Sequence, residues 1–216
     1  LLQRTRGADE ILVSEIFKEL GYLAPRTSIV NAKINGVISK MIFQEKSRKE
    51  LLESNYRREG PILEGDERFT WMLSQKVPLD NRSNREAGLL ELAKIGFKSI
   101  LAKQINSRLI LKNNNLKMMS YNSLSNLNLI YLKYANSFEK DTRYLESYRY
   151  HTLDNKLLGF NKKVNIIFLD IYNLLVMSSS DGHSLAPNNR QFYWNSIQNF
   201  FEPISYDGNF DIFKSP

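Results

Sequence analysis

Two short segments near the end of the chain contain the residue types from which a metal-dependent site is built. The segment DGHSLAPNNRQFYWN begins at Asp181, and the segment FEPISYDGN contains Asp207. Carboxylate and amide oxygens are the ligands that Mg²⁺ prefers, and a carboxylate can also accept the proton of a reacting hydroxyl. Asp181 is therefore the candidate base, and Asp207 together with Asn189 or Asn188 is the candidate metal-ligand set.

Each of these residues also has a plain structural interpretation. Asp181 precedes a glycine, and Asp-Gly is a common turn, as are the paired residues Asn188 and Asn189. Arg190 would by itself be interpreted as a solvated charge. His183 is expected to hold the loop in shape through a hydrogen bond, and with one other histidine in the chain a zinc site is not expected.

The elements around these segments are predicted to follow a fixed order. A helix from Lys162 to Met177, apolar nearly all round and so expected to be buried, precedes the loop. Asp170 within it should pair with or cap a neighbouring loop. The aromatic stretches RQFYWN and NFFEPISYD predict a β-hairpin, with Phe192 to Trp194 alternating between core and surface. Protein kinases show this order: catalytic aspartate, metal-binding asparagine, hairpin, then an aspartate before glycine.

The first half of the chain carries clear local signals. Asn35-Gly36 between two apolar runs, TSIVNAKI and VISKMIFQ, predicts a tight type I′ hairpin. Before it, Leu12, Ile16 and Leu20, with Val13 and Phe17 beside them, predict an amphipathic helix from Glu10 to Leu20, with Asp9 at its start and Gly21 at its end. Further predictions are a mixed-charge helix within 45–59, a lobe-separating loop at Pro78 to Asn84, and helices at Glu86 to Ile105 and Ser123 to Ala135.

Composition limits the classes of function. A hydrophobic fraction of 42% in 216 residues is enough for a packed core, and the absence of cysteine excludes thiol chemistry and disulfides. The net charge of +7 suits anionic partners, but the positive charges are scattered and no basic stripe alternates with aromatic residues, so nucleic-acid binding is not expected. The longest apolar run, Val164 to Met177, is too short and too interrupted to span a bilayer.

Four stretches, spread across most of the chain, together resemble the CotH kinases, the spore coat protein H family. They are ELGYLAPRTSIVNAKINGVISKMIFQE, REGPILEGDE, DGHSLAPNNRQFYWN and FEPISYDGN. The resemblance implies an α+β, diverged protein-kinase-like fold with two lobes. It also implies transfer of the ATP γ-phosphate to serine or threonine of a protein substrate, with Mg²⁺ or Mn²⁺, and it suggests a spore coat or cell-surface location.

The resemblance also implies roles for individual residues. Asp181 matches the catalytic-loop aspartate, Asn189 or its neighbour Asn188 the metal-binding asparagine, and Asp207 the metal-binding aspartate. Glu45, at the end of the second hairpin strand, would lie near the hinge where adenine docks, and its interpretation as an ordinary exposed charge stays equally open. The spacing from Asp181 to Asn189 is longer than in the ordinary kinase loop.

The start of the chain departs from the kinase pattern. No glycine-rich loop and no strand lysine for the phosphates precede the first helix, and the sequence begins at Leu1. We expect that a preceding segment supplies both. If the first helix corresponds to the kinase regulatory helix, Glu15 or Glu19 is the candidate partner of that lysine.

The sequence thus predicts a partial N-lobe at residues 1–78 and a mainly helical C-lobe at 79–216, with the catalytic loop and the metal-binding hairpin in the second. Two other functions stay open. One is a non-catalytic assembly scaffold of a coat or cell surface with the same fold, and the other is hydrolysis of a phosphoester by the same carboxylates.

Overall fold

The protein is a mixed α and β structure with two small antiparallel sheets. The computed structural model describes residues 7–66, 68, 72, 100–137, 153–179, 182–206, 208, 210 and 212. The elements in these ranges are α1 (Gly7–Glu19), β1 (Thr27–Ile34), β2 (Val37–Gln44), α2 (Lys49–Ser54), β3 (Ile62–Gly65), β4 (Ala102–Gln104), α3 (Ser107–Ile110), α4 (Asn114–Ser137), α5 (Asn155–Leu158), α6 (Lys163–Ser178), a 3₁₀ turn (Gly182–Leu185), β5 (Gln191–Asn195) and β6 (Phe200–Ile204). No helix in this described part is long and apolar enough to cross a membrane.

The β1/β2 hairpin confirms the strongest local prediction. Its two strands pair antiparallel along their full length, from Thr27 opposite Gln44 to Ile34 opposite Val37. Asn35 and Gly36 both have positive φ, 49° and 86°, as a type I′ turn requires. The hairpin forms a two-stranded sheet of its own, in which most side chains are exposed.

Helix α1 ends as predicted but begins earlier. The amide of Gly21, at φ 83°, donates to the carbonyl of Lys18, and the amide of Tyr22 donates to that of Phe17. These two bonds form a Schellman motif, in which glycine takes the left-handed conformation at no steric cost. The prediction that Asp9 caps the start is wrong, because the helix begins at Gly7 and places Asp9 within its first turn.

The buried face of α1 is not centred on the stripe that the sequence suggests. Val13 and Phe17 are buried, whereas Leu12, Ile16 and Leu20 are exposed. Phe17 packs edge-on against Tyr172 of α6, at 5.3 Å between ring centroids. The two candidate stripes lie side by side on one helix, so only the position of α6 decides which of them is covered.

The other predicted helices differ in length or type from the observed elements. Helix α2 is short, six residues within the mixed-charge segment, and α4 extends well beyond the predicted Ser123 to Ala135. The prediction of a helix from Glu86 to Ile105 is wrong at its end, because residues 102–104 form strand β4, which pairs with β3. The rest of that helix and the loop from Pro78 to Asn84 lie outside the described residues.

The second sheet joins the early and late parts of the chain. Its strand order is β4-β3-β5-β6, and all neighbours are antiparallel. Strand β3 comes from the first third of the sequence, yet it lies between β4 and β5. Each of the three hydrophobic clusters found among the described residues likewise combines residues from before position 66 and after position 152. The described parts of the predicted lobes therefore share a sheet and a core, while the predicted boundary near 78 lies outside the described residues.

Helix α6 has the predicted length, but it is not buried all round. One face, with Leu169, Tyr172 and Val176, is in the core. The other carries exposed apolar side chains: Val164, Ile167, Ile171 and Leu174. Asp170 is exposed, and its Oδ1 accepts a hydrogen bond from Nδ2 of Asn155 on α5 at 2.7 Å, which agrees with the expected local pairing.

The aromatic residues of β5 do not alternate between core and surface as expected. Phe192, Tyr193 and Trp194 are all buried, because both faces of the sheet are covered. Phe192 and Trp194 lie in the cluster with α4 and α6, whereas Tyr193 packs on the opposite face with Leu51 and Leu52 of α2. Strand β5 is therefore a central strand, and the cover on its second face comes from α2.

A buried ion pair connects the ends of α1 and α2 to strands β5 and β6. Nε of Arg57 donates to Oε1 of Glu202 at 2.9 Å, and Glu202 on β6 is almost fully buried. The same guanidinium donates to the carbonyls of Gly21 and Asn55, at 3.1 and 3.0 Å. Glu202 also accepts a hydrogen bond from Asn195 on β5 at 3.0 Å. One arginine thus joins the ends of α1 and α2 to the β5/β6 hairpin.

Substitution of Arg57 by Met should destabilise the protein strongly. Removal of one partner leaves the Glu202 carboxylate buried without a countercharge, which typically costs about 3 kcal/mol or more. Urea unfolding followed by fluorescence measures the change in the free energy of unfolding.

The matched control is Lys49→Met, which removes a lysine paired with Glu53 and Glu59 on the surface. Exposed pairs contribute little, so this variant should unfold close to the wild type. Equal effects of the two substitutions would contradict the importance assigned to the Arg57–Glu202 pair.

Candidate functional site

The candidate metal-binding asparagines lie in a tight turn between the 3₁₀ turn and β5. The amides of Asn189 and Arg190 both donate to the carbonyl of Ala186, at 2.9 and 3.0 Å. Nδ2 of Asn188 donates to Oδ1 of Asn189 at 3.1 Å, and both side chains are half-buried. This contact orients the Asn189 side-chain oxygen, and an amide oxygen is one of the ligand types that Mg²⁺ accepts.

Strand β3 supports this turn at very close range. A Cβ placed on Gly65 would lie 2.1 Å from the carbonyl oxygen of Pro187 and 2.8 Å from Cα of Asn188. Only glycine permits that approach. From the other side, the buried hydroxyl of Tyr131 on α4 donates to the same Pro187 carbonyl at 2.6 Å. The motif REGPILEGDE therefore packs directly on the motif DGHSLAPNNRQFYWN.

The two candidate aspartates, Asp181 and Asp207, lie outside the described residues, as does the side chain of His183. In the β5/β6 pair, Gln191 at the start of β5 lies opposite Ile204 at the end of β6. The chain therefore enters β5, two residues after Asn189, at the same end of the hairpin where it leaves β6.

Glu45 is a buried, paired acid. Its carboxylate accepts hydrogen bonds from the Arg26 guanidinium, the closest at 2.6 Å, and from the Arg26 amide at 3.2 Å. Burial alone would raise the pKa of Glu45, but the hydrogen bonds and charge of Arg26, with a smaller contribution from Ser54, hold the pKa below its usual value. The interpretation of Glu45 as an ordinary exposed charge is therefore wrong.

A row of hydrogen bonds connects the segment after β2 to the second sheet. The hydroxyl of Ser47 donates to Oε1 of Gln191, and Nε2 of Gln191 donates to Oε2 of Glu64 at 2.8 Å. Oε1 of Glu64 pairs with Nζ of Lys103 at 3.1 Å. The row begins two residues after Glu45 and crosses β5 two residues after Asn189. It brings the candidate hinge and the candidate metal turn to the same end of the sheet, where β5 begins.

Asp66, directly after Gly65, is a buried acid with cationic neighbours. The guanidinium of Arg68 donates to its carboxylate, with Nε 2.9 Å from each oxygen, and Nζ of Lys103 lies 3.6 Å away. The hydrogen bonds from Arg68 lower the pKa of Asp66 to about 2, against the opposing effect of burial, and Lys103 adds to the lowering. The carboxylate is thus charged at neutral pH and anchors the chain where it leaves β3.

Arg190 is buried, and its interpretation as a solvated charge is wrong. Its side chain is 1% exposed. Nη2 donates to Oδ1 of Asn173 on α6 at 2.9 Å, and the guanidinium lies 5.0 Å from the ring centroid of Phe192 and 5.9 Å from that of Tyr172. Burial lowers the pKa of Arg190 to about 10, which still leaves it charged at neutral pH.

Comparisons with family models and with curated proteins found no match to this chain. Among the described residues, no group of three or more His, Asp or Glu side chains is arranged to hold a metal ion. Within that part of the chain, the cation ligands predicted from the sequence are the amide oxygens of Asn189 and Asn188, a ligand type that suits Mg²⁺.

Sequence reasoning missed the residues that support the turn. Gly65 had a usable signal, because a glycine between two acids after an apolar run marks a close backbone approach or a bulge. Gln191, Ser47 and Arg190 gave no such signal. Their importance comes from partners between 17 and 144 positions away in the chain.

Replacement of Gly65 by Ala should destabilise the protein by about 3 kcal/mol, because the backbone of β3 or of the turn must move to admit the new methyl group. The comparison variant is Gly21→Ala. Gly21 also requires its positive φ but has no atom within 4 Å of an added Cβ, so only backbone strain of about 1 kcal/mol is expected. Thermal unfolding of both variants measures the difference. A Gly65 variant no worse than the Gly21 variant would refute the close contact.

Stability should fall in acid partly because of Asp66. Its pKa is lower in the folded protein than in the unfolded chain, so its contribution is complete above about pH 4 and is lost as pH falls towards about 2. The gap in unfolding free energy between wild type and Asp66→Asn should therefore be constant from neutral pH to about pH 5 and shrink below it. Arg68→Met should give the same trend. Urea unfolding at several pH values measures the gap, and a gap independent of pH would contradict the assignment.

Proposed function

We propose that the protein is an atypical Ser/Thr protein kinase that transfers the γ-phosphate of ATP with the help of Mg²⁺ or Mn²⁺. The proposal includes a diverged two-lobe kinase-like fold. It depends on the resemblance of the four sequence stretches to the CotH kinases and on how the described residues arrange those stretches.

The observation that carries the proposal is the register of the β5/β6 hairpin. Gln191 opposite Ile204 brings the chain just after Asn189 beside the chain that leads to Asp207. Asp207 follows Ile204 by three positions in the sequence. An amide oxygen and a carboxylate from the two segments that flank one hairpin are ligand types that a divalent cation prefers.

The remaining roles follow from the chemistry of phosphoryl transfer. The substrate hydroxyl oxygen bonds to the γ-phosphorus, the bond from that phosphorus to the bridging oxygen breaks, and ADP leaves. Asp181 accepts the hydroxyl proton, and Asn189 and Asp207 would hold the cation. A bound Mg²⁺ or Mn²⁺ would neutralise the charge on the phosphate oxygens. A turn held tightly by Gly65 and Tyr131 favours such positioning.

The row from Ser47 to Lys103 supports the placement of the nucleotide beside this turn. Ser47 lies three residues after the end of β2, and its hydroxyl donates a hydrogen bond to Gln191. The candidate hinge around Glu45 therefore lies at the same end of the sheet as Asn189. The Glu45 carboxylate is already paired with Arg26. We therefore propose that Glu45 sets the shape of the hinge and borders the adenine site.

Label transfer from γ-labelled ATP to a serine-rich protein, with Mg²⁺ or Mn²⁺, tests the proposal on the full-length protein. Asp181→Asn and Asp207→Asn should each lower the rate by at least 100-fold, because each removes the base or a cation ligand. The control is Asp170→Asn, which changes an exposed aspartate on α6 and should keep the wild-type rate.

The same assay separates the other functions. Release of free phosphate without labelled protein would mean phosphoester hydrolysis. No turnover, together with a melting temperature that does not respond to ATP and Mn²⁺ in either wild type or Asp207→Asn, would mean a non-catalytic assembly role. Either result would end the kinase proposal.

A further inference from the structure

Arg190 combines burial, charge and incomplete hydrogen bonding. Of its three side-chain nitrogens, Nη2 has a partner, the half-buried Asn173, whereas Nε and Nη1 are buried without a hydrogen-bond acceptor. Among the described residues, no carboxylate pairs with the guanidinium. Its other neighbours are the rings of Phe192 and Tyr172, which offer only cation–π contacts.

Such an arrangement is unfavourable for folding. A buried cation loses its hydration, and two unfilled donors lose hydrogen bonds that water would have supplied. An apolar side chain of similar length could fill the same space between α6 and β5 without either cost. A residue kept at such a cost commonly serves function rather than stability.

The location of Arg190 indicates which function. Its backbone amide closes the same turn as Asn189, because both amides donate to the carbonyl of Ala186. Its side chain crosses from this turn to α6, where it is held by Asn173. The turn is thus tied to β3 at Gly65, to α4 at Tyr131 and to α6 through Arg190. The last of these ties is made by a cationic residue that directly follows Asn189, the candidate cation ligand, in the sequence.

We infer that Arg190 is a positioning residue of the proposed metal and nucleotide site: it ties the turn that carries Asn189 to α6, and it supplies a buried positive charge at that turn for the phosphates of the nucleotide. This inference rests on the proposed function. It makes two claims that a purely structural role does not make. Loss of the charge should weaken metal-nucleotide binding, and it should not weaken the fold.

The test uses Arg190→Met in the full-length protein, with Arg48→Met, at an exposed arginine, as the matched control. Melting temperature without ligand reports the fold, and titration with Mn²⁺ at fixed ATP in the label-transfer assay gives the apparent Mn²⁺ constant and kcat separately. Arg190→Met should melt at or above the wild-type temperature, yet raise the apparent Mn²⁺ constant by about tenfold or more, which corresponds to 1.4 kcal/mol. The control should change neither quantity.

Two further variants separate the charge from the tie to α6. Arg190→Lys keeps the charge, so it should recover part of the Mn²⁺ affinity lost in the Met variant. Asn173→Ala removes the hydrogen-bond partner but keeps the arginine, so it should lower kcat more than it changes the Mn²⁺ constant. This variant also leaves the buried guanidinium without that acceptor, so it should melt below the wild type, and its kinetic constants are measured well below its melting temperature.

The outcomes distinguish this inference from the proposed function. A wild type that responds to Mn²⁺ and ATP, with an Arg190→Met variant that responds equally, would overturn the inference and leave the kinase proposal standing. A Met variant that melts well below the wild type would also overturn it, since a structural role would then explain any loss. A wild type without any response would end the kinase proposal and this inference with it.

Discussion

The buried Arg57–Glu202 pair is the interaction on which most of the described structure depends. Glu202 lies on β6 and is buried. The cost of burying its carboxylate is offset by hydrogen bonds from Arg57 and Asn195. Arg57 in turn satisfies the carbonyl that follows the end of α1. The pair therefore fixes the first third of the chain to the last hairpin, and that hairpin holds the candidate site at its other end.

A close backbone contact from β3 then holds the turn at Asn188 and Asn189 in place. Strand β3 pairs with β5 and presses the bare backbone of Gly65 against Pro187. Because the contact involves backbone on both sides, it can hold the turn within a narrow range of positions. A site that acts mainly by placing a cation and phosphates benefits from such rigidity.

Buried polar groups cluster at this end of the second sheet. Ser47, Gln191 and Glu64 satisfy one another in a row, whereas Arg190 on the other side of the turn is left partly unsatisfied.

Local chemistry in the sequence determined the short-range features. Asn35-Gly36 specified the hairpin, Gly21 specified the end of α1, and the apolar pattern specified α6, because each depends on backbone geometry or periodicity within a few residues. The order of loop, turn and hairpin around Asn189 was predictable for the same reason.

Only the tertiary structure decided what covers each surface. In the folded protein Arg190 and all of β5 are buried, and Val13 and Phe17 are buried whereas Leu12 and Ile16 are exposed. Residues 102–104 form a strand. Each of these outcomes depends on a partner far away in the chain, such as α6 for α1 or β3 for β4. Burial and strand pairing are properties of two segments together, so the pattern of one segment alone does not contain them.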